Sequence, residues 1–203
     1  VKESKNGDYG ACVASIDWST KVIFDELKEL GIDENTIVIF TSDNGSRLQN
    51  QGGSNGDLRG GKGQTWDGGQ RVPCIIRWPG KINEGEETDA LATTMDFLPS
   101  ITNLIGGELP SKKIDGIDMS ELFFSNNNSS KRESFLYYNE DELEAIRYKN
   151  WKLHFKKEGK LINELYDLEN DIGEEVNLYN ENKEIVTELS SLADDYRKSL
   201  GDK

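Results

Sequence analysis

At 203 residues, with 34% apolar and 31% charged residues and only four prolines, the chain has the material of one domain, or of one domain with a small appended unit, and no long disordered tract. Its longest apolar runs, 37–40 and 74–76, fall far short of the roughly 18 residues of a spanning helix, so no membrane partner is expected. A formal charge of −14 argues against nucleic acid, because neutralising phosphates takes a basic face.

The charge is unevenly spread. Between Asn44 and Lys81 six basic residues stand against two acidic ones, whereas the remainder carries 18 basic and 36 acidic residues. A locally cationic stretch in an acidic protein points to an anion site there, or to a fluctuation on a solvated loop. Cys12 and Cys74 lie in apolar surroundings without C-x-x-C spacing, which speaks against zinc or redox chemistry and predicts buried free thiols. The first residues hold no initiator Met and no apolar leader, and localisation is not read from them.

In chain order, Cys12, Ile16, Ile23, Leu27 and Leu30 form one stripe of an amphipathic helix over 9–30, with Gly31 as its stop. Residues 36–41 (TIVIFT) are a β-branched run, predicted to be a strand buried on both faces as in parallel sheets. Nine glycines between Gly45 and Gly69 predict a long functional loop. A second buried-looking strand follows over 72–78, closed by Pro79-Gly80, and a helix over 94–105 tolerates Pro99 only near its start and stops at Gly106-Gly107. From about Asn126 the run Asn-Asn-Asn-Ser-Ser is a linker. Strands at 134–138, 144–148, 151–156 and 160–166 then predict an antiparallel meander, and Ile185, Leu189, Leu192 and Tyr196 mark a terminal helix. The expected organisation is an α/β body over 1–125 and a small α+β subdomain over 126–203.

Asp43-Asn44 follows the first strand, and ligands in open α/β folds gather at the carboxyl ends of strands. A carboxylate and an amide oxygen are hard donors suited to Ca²⁺ or Mg²⁺, while Asn44-Gly45 is equally a turn signal. The pattern G-x-x-x-x-G-K runs from Gly56 to Lys62, but Gly63 stands where a nucleotide-binding loop needs Ser or Thr. A lysine in a glycine-rich cradle still suits a tetrahedral oxyanion. His154 is the single histidine, so no His-rich zinc cluster can form, and a packed strand histidine is the expectation.

The run Ile39-Phe40-Thr41-Ser42-Asp43-Asn44-Gly45, followed by Gln51-Gly52-Gly53-Ser54-Asn55-Gly56, Leu58-Arg59-Gly60-Gly61-Lys62-Gly63, Trp66-Asp67-Gly68-Gly69, Arg71-Val72-Pro73 and Trp78-Pro79-Gly80, resembles the second signature region of type I sulfatases. Asp96-Phe97-Leu98-Pro99, Asp115-Gly116-Ile117-Asp118, Trp151-Lys152-Leu153-His154 and Leu165-Tyr166-Asp167-Leu168 resemble the C-terminal region of the same family. Within it, 51–56 is similar to arylsulfatases of the cerebroside-sulfatase and N-acetylgalactosamine-6-sulfatase type.

The resemblance implies the C-terminal part of an alkaline-phosphatase-like α/β fold from a sulfuric ester hydrolase. It implies that Asp43 and Asn44 are Ca²⁺ ligands and that Lys62 contacts the substrate sulfate, with a catalytic and a binding role. The implied partner is a sulfated small molecule or sulfated glycan, in a periplasmic, secreted or lysosomal setting. The family's nucleophile is a formylglycine made within C/S-x-P-x-R, a motif this sequence does not contain. The family's N-terminal half, which carries that motif and the rest of the site, is therefore expected to be required. A phosphodiesterase or phosphonate hydrolase of the same superfamily, and a non-catalytic anion- or glycan-binding fragment, are the alternatives.

Overall fold

In the computed structural model, which describes residues 4, 6–47, 52–124 and 130–201, packing divides the chain into two units. One comprises 1–15, 41–73 and 134–203, and the other 16–40 and 74–133. The glycine-rich loop therefore groups with the terminal strands rather than with its sequence neighbours. The expected linker at 126–129, and Gln51 of the loop, lie outside the described residues.

The first helix, α1 (Gly7–Glu29), ends as expected at Gly31, whose φ of +69° lets its own N–H and that of Ile32 turn back to the carbonyls of Lys28 and Leu27. None of its residues is buried, so the predicted stripe has no core to face among the described residues. Strand β1 (Val38–Thr41) is hydrogen-bonded to β2 (Cys74–Arg77) in a two-stranded sheet. The expected burial on both faces is not observed, because each strand has a single partner here, and Ile75 is 62% exposed. The same openness overturns the expected burial of the thiols: Cys12, within α1, and Cys74, at the start of β2, are both exposed and free.

Within the 16–40 and 74–133 unit, Arg77 grips Asp33 through two bonds of 2.6 and 2.8 Å, and the Pro79-Gly80 turn closes on the Trp78 carbonyl as predicted. A 3-10 turn (Thr94–Asp96) leads into α3 (Phe97–Leu104), with Pro99 in the first turn, where its missing N–H costs nothing. Asp96 organises this region. Its carboxylate accepts from the Thr93 N–H, from the Ile117 N–H and from the Arg132 guanidinium at 2.5 and 3.0 Å. A short helix that the sequence pattern does not predict, α4 (Ser120–Phe124), begins at Ser120, whose Oγ accepts from Asn103.

In the other unit β3 (Ser134–Asn139), β4 (Glu142–Tyr148), β5 (Trp151–Lys157) and β6 (Lys160–Asp167) form the predicted antiparallel meander in chain order. The register steps past Glu144, leaving it opposite no residue of β3, so that Leu143 and Ile146 both reach one face. That face packs with Leu153 and Leu165 against Val186, Leu189 and Ala193 of α5 (Lys183–Leu200). Strand alternation sends Glu144, Lys152, His154, Glu164 and Tyr166 to the opposite face. The glycine-rich loop covers it.

Candidate functional site

Beyond β1 the chain bends through Ser42, Asp43 and Asn44, with the Ser42 hydroxyl donating to the Asn44 carbonyl at 3.0 Å. Gly45 is buried, and its N–H donates to the Gly69 carbonyl at 3.0 Å. A Cβ at Gly45 would lie 1.8 Å from the Gly68 carbonyl oxygen, so only glycine permits this approach. One residue on, the Ser46 carbonyl accepts the Lys62 N–H at 3.1 Å. The Asn55 amide locks the junction: its Oδ1 accepts from the Ser46 N–H, and its Nδ2 donates to the carbonyls of Ser46 and Gly60. Two segments far apart in sequence are thus stitched backbone to backbone, one carrying Asp43 and Asn44, the other Lys62.

Both flanks of Lys62 are tied to the polar face of the sheet. Upstream, Arg59 stacks 3.7 Å over the Trp66 ring and donates to the Tyr166 hydroxyl and the Glu174 carbonyl at 2.9 and 2.8 Å. Downstream, the Thr65 hydroxyl donates to Glu144 at 2.6 Å and Trp66 lies against His154, with ring centres 4.0 Å apart. Asp67, the first residue of α2 (Asp67–Gln70), receives the Lys152 ammonium at 2.6 Å and donates its own N–H to Glu174 at 2.8 Å. Lys152 also reaches Glu174 at 2.9 Å, and His154 meets the same carboxylate at 3.1 Å. Asp67, Lys152, His154 and Glu174 are all fully buried.

Burial alone would drive the Glu174 carboxyl up, but its bonds to His154, Lys152 and the Asp67 N–H outweigh that and hold it below the ordinary value. Burial lowers His154, and the Glu174 bond offsets only part of the shift, so the ring is neutral near pH 7. The expectation of a packed strand histidine holds. Tyr137, buried beside Asp67, is pushed well above the ordinary tyrosine range by desolvation and by that carboxylate.

Of the six basic residues in the cationic stretch read from composition, three, Arg59, Arg71 and Arg77, are engaged internally. Arg59 and Arg77 are held as described, and Arg71 lies 3.9 Å from Asp67. Lys62 differs: it is exposed, and among the described residues its side chain has no hydrogen-bond or ion-pair partner. Asp43 is exposed and Asn44 half-buried, and their side chains are likewise unengaged. A free carboxylate and a free amide oxygen are hard donors that fit one side of a calcium site, which takes about six to eight oxygens. Among the described residues no group of three or more His, Cys, Asp or Glu side chains converges to hold a metal. A formylglycine does not fit the residues present, since none of Pro73, Pro79, Pro99 and Pro110 has Cys or Ser two residues before it. Sequence reasoning named Asn55, Asp67 and Lys152 only inside motifs, without a role for any of them, and missed Glu174. Asn55 gave one weak signal, a side chain able to bond backbone inside a run of glycines.

Two family models match the chain, Sulfatase over residues 2–107 and N-sulphoglucosamine sulphohydrolase, C-terminal, over residues 61–199. The chain belongs to the sulfatase family. It is 37% identical over 164 residues to steryl-sulfatase of Mus musculus, covering 75% of this chain and 26% of that protein. It is 34% identical over 204 residues to arylsulfatase A of Homo sapiens, covering 88% and 40%. Among solved structures, the PsFucS1 sulfatase from Pseudoalteromonas sp. superposes with a TM-score of 0.84 at 27% identity, covering 95% of this chain and 43% of that one. BT4656 in complex with its substrate D-glucosamine-2-N,6-O-disulfate gives 0.75 at 26%, covering 97% and 41%. The fold is the C-terminal part of the alkaline-phosphatase-like α/β architecture these sulfatases share, and the chain spans less than half the length of each of these four proteins.

Proposed function

We propose that this chain supplies the calcium and sulfate ligands of a sulfuric ester hydrolase and lacks the nucleophile of the reaction. The observation that carries the reading is the backbone junction of Gly45, Ser46, Lys62 and Gly69, which ties the segment carrying Asp43 and Asn44 to the one carrying Lys62, three side chains with no hydrogen-bond or ion-pair partner among the described residues. Asp43 and Asn44 would hold the cation, and a bound divalent ion there supplies charge neutralisation for sulfate oxygens. Lys62 binds a sulfate oxygen and stabilises the charge that grows on the group as the ester bond weakens. The substrate class is a sulfated glycan or other sulfate ester, a reading supported by the sulfated sugar bound in the related BT4656 structure.

No nucleophilic step is assigned to this chain, because its serines and cysteines lie outside C/S-x-P-x-R and its histidine is sealed in the sheet. The test is hydrolysis of 4-methylumbelliferyl sulfate with calcium present, by the chain alone and mixed with a separately expressed N-terminal half of a related sulfatase. No turnover alone and turnover in the mixture is the expected result, and Asp43→Ala in the mixture abolishes it while weakening calcium binding. Turnover by the chain alone overturns the missing-nucleophile reading, and undiminished turnover by Asp43→Ala overturns the metal assignment.

A further inference from the structure

The polar face of the β3–β6 sheet has the pattern of a solvated surface, yet Glu144, Lys152 and His154 on it are fully buried. What covers them is the loop segment 59–67. The attachments alternate around one exposed point: Arg59 binds Tyr166 and the Glu174 carbonyl on one side of Lys62, and Thr65, Trp66 and Asp67 bind Glu144, His154 and Lys152 on the other. Lys62 and Gly63 between them are exposed. Taking Asp67, Glu144, Lys152, His154 and Glu174 out of water is costly, and a covering of that kind needs a loop with few ways to leave it. A lysine on a glycine-rich loop is otherwise a mobile charge that must be ordered afresh for each oxyanion it binds.

We propose that Lys152 and Glu174, with Thr65–Glu144 as a second anchor, are positioning residues that clamp the Lys62 loop onto the terminal sheet and so fix the ammonium for its anion. The proposal rests on the reading of Lys62 as the sulfate ligand. Glu174 is the pivot, since its two carboxylate oxygens and its carbonyl serve Lys152, His154, the Asp67 N–H and Arg59 together. Its φ of +53°, a region that L-residues seldom adopt, indicates that the surrounding bonds hold it there.

The test uses the 203-residue chain, with amide hydrogen exchange and a titration with inorganic sulfate followed at the Lys62 amide. Lys152→Met should speed exchange at Lys62, Gly68 and Gly69 at least tenfold, change Ile146 and Leu165 less than threefold, and weaken sulfate binding at least fivefold. Thr65→Val, which removes one hydroxyl and no charge, should act in the same direction by about threefold at the loop amides, and it decides the matter should Lys152→Met fail to fold. Equal acceleration in loop and sheet, or an unaltered loop, overturns the clamp. Failure of the underlying reading is distinguishable: a wild-type Lys62 amide that ignores sulfate, or a Lys62→Ala chain that binds it as well, refutes the sulfate assignment whatever the exchange rates show.

Discussion

Replacing Gly45 by alanine tests the junction on which the site depends. The added Cβ would stand 1.8 Å from the Gly68 carbonyl oxygen and 2.8 Å from the carbon of the same group. To reach ordinary contact, one strand of the junction must retreat by more than about 1 Å. That movement pulls against the Gly45 N–H to Gly69 bond at 3.0 Å and the Lys62 N–H to Ser46 bond at 3.1 Å. Overpacking of this kind plus a weakened buried hydrogen bond costs roughly 2–4 kcal/mol in total. For a chain of this length the Tm should fall by roughly 5–15 °C. Gly56→Ala is the control: its φ is +61°, but its Cβ would meet nothing within 4 Å, so it carries conformational strain of roughly 1–2 kcal/mol without a clash. Scanning calorimetry of the three chains decides. Equal Tm shifts for Gly45→Ala and Gly56→Ala would refute the claim that backbone contact excludes a side chain at Gly45.

Lys62→Ala should leave the Tm within roughly 2 °C, since an exposed lysine without a partner adds about 0.5 kcal/mol at most, while sulfate binding at its amide disappears. A large loss of stability with sulfate binding intact would mark a structural lysine. His154 titrates below the ordinary histidine range because burial penalises the charged ring, so the unfolded chain takes up the proton first as the pH falls. The sign follows: stability is full above about pH 7 and declines through the range just below it, and His154→Gln should flatten that slope in urea unfolding. An unchanged slope counts against the buried neutral ring. Burial raises the Asp96 carboxyl, but the Arg132 bond and the Ile117 and Thr93 N–H groups win, so it lies below the ordinary carboxylate range. Its contribution is therefore present above pH 4 and lost toward stronger acid, and Arg132→Met, which leaves the carboxylate buried without its cation, should cost about 3–5 kcal/mol in urea unfolding at pH 7. A cost under about 1 kcal/mol would refute the pairing.

The sequence by itself determined the local elements and the chemistry-bearing motifs. The spacing of the short runs from Ser134 onward, broken at Lys149-Asn150 and Glu158-Gly159, and the stripe of Ile185, Leu189 and Leu192 are local signals, and they produced the meander and α5 where expected. Asp43-Asn44 and the Lys62 loop were legible because they stand as ordered motifs, not because any one of them is specific. Tertiary structure decided everything that depends on what covers what. Lys152, Glu144 and His154 alternate with apolar residues as a solvated face would, and nothing local distinguishes a face open to water from one sealed by a loop whose anchors lie 79 and 85 residues upstream at Thr65 and Asp67. The same physics explains the opposite error at Ile75, Cys74 and Cys12, apolar by composition yet exposed, because burial belongs to the neighbour as much as to the residue. The arginines near Lys62 were equally ambiguous. Whether a guanidinium faces a ligand or a tyrosine is fixed by the fold, and here Arg59 lies over Trp66 and bonds Tyr166, while the Lys62 side chain is exposed with no partner among the described residues.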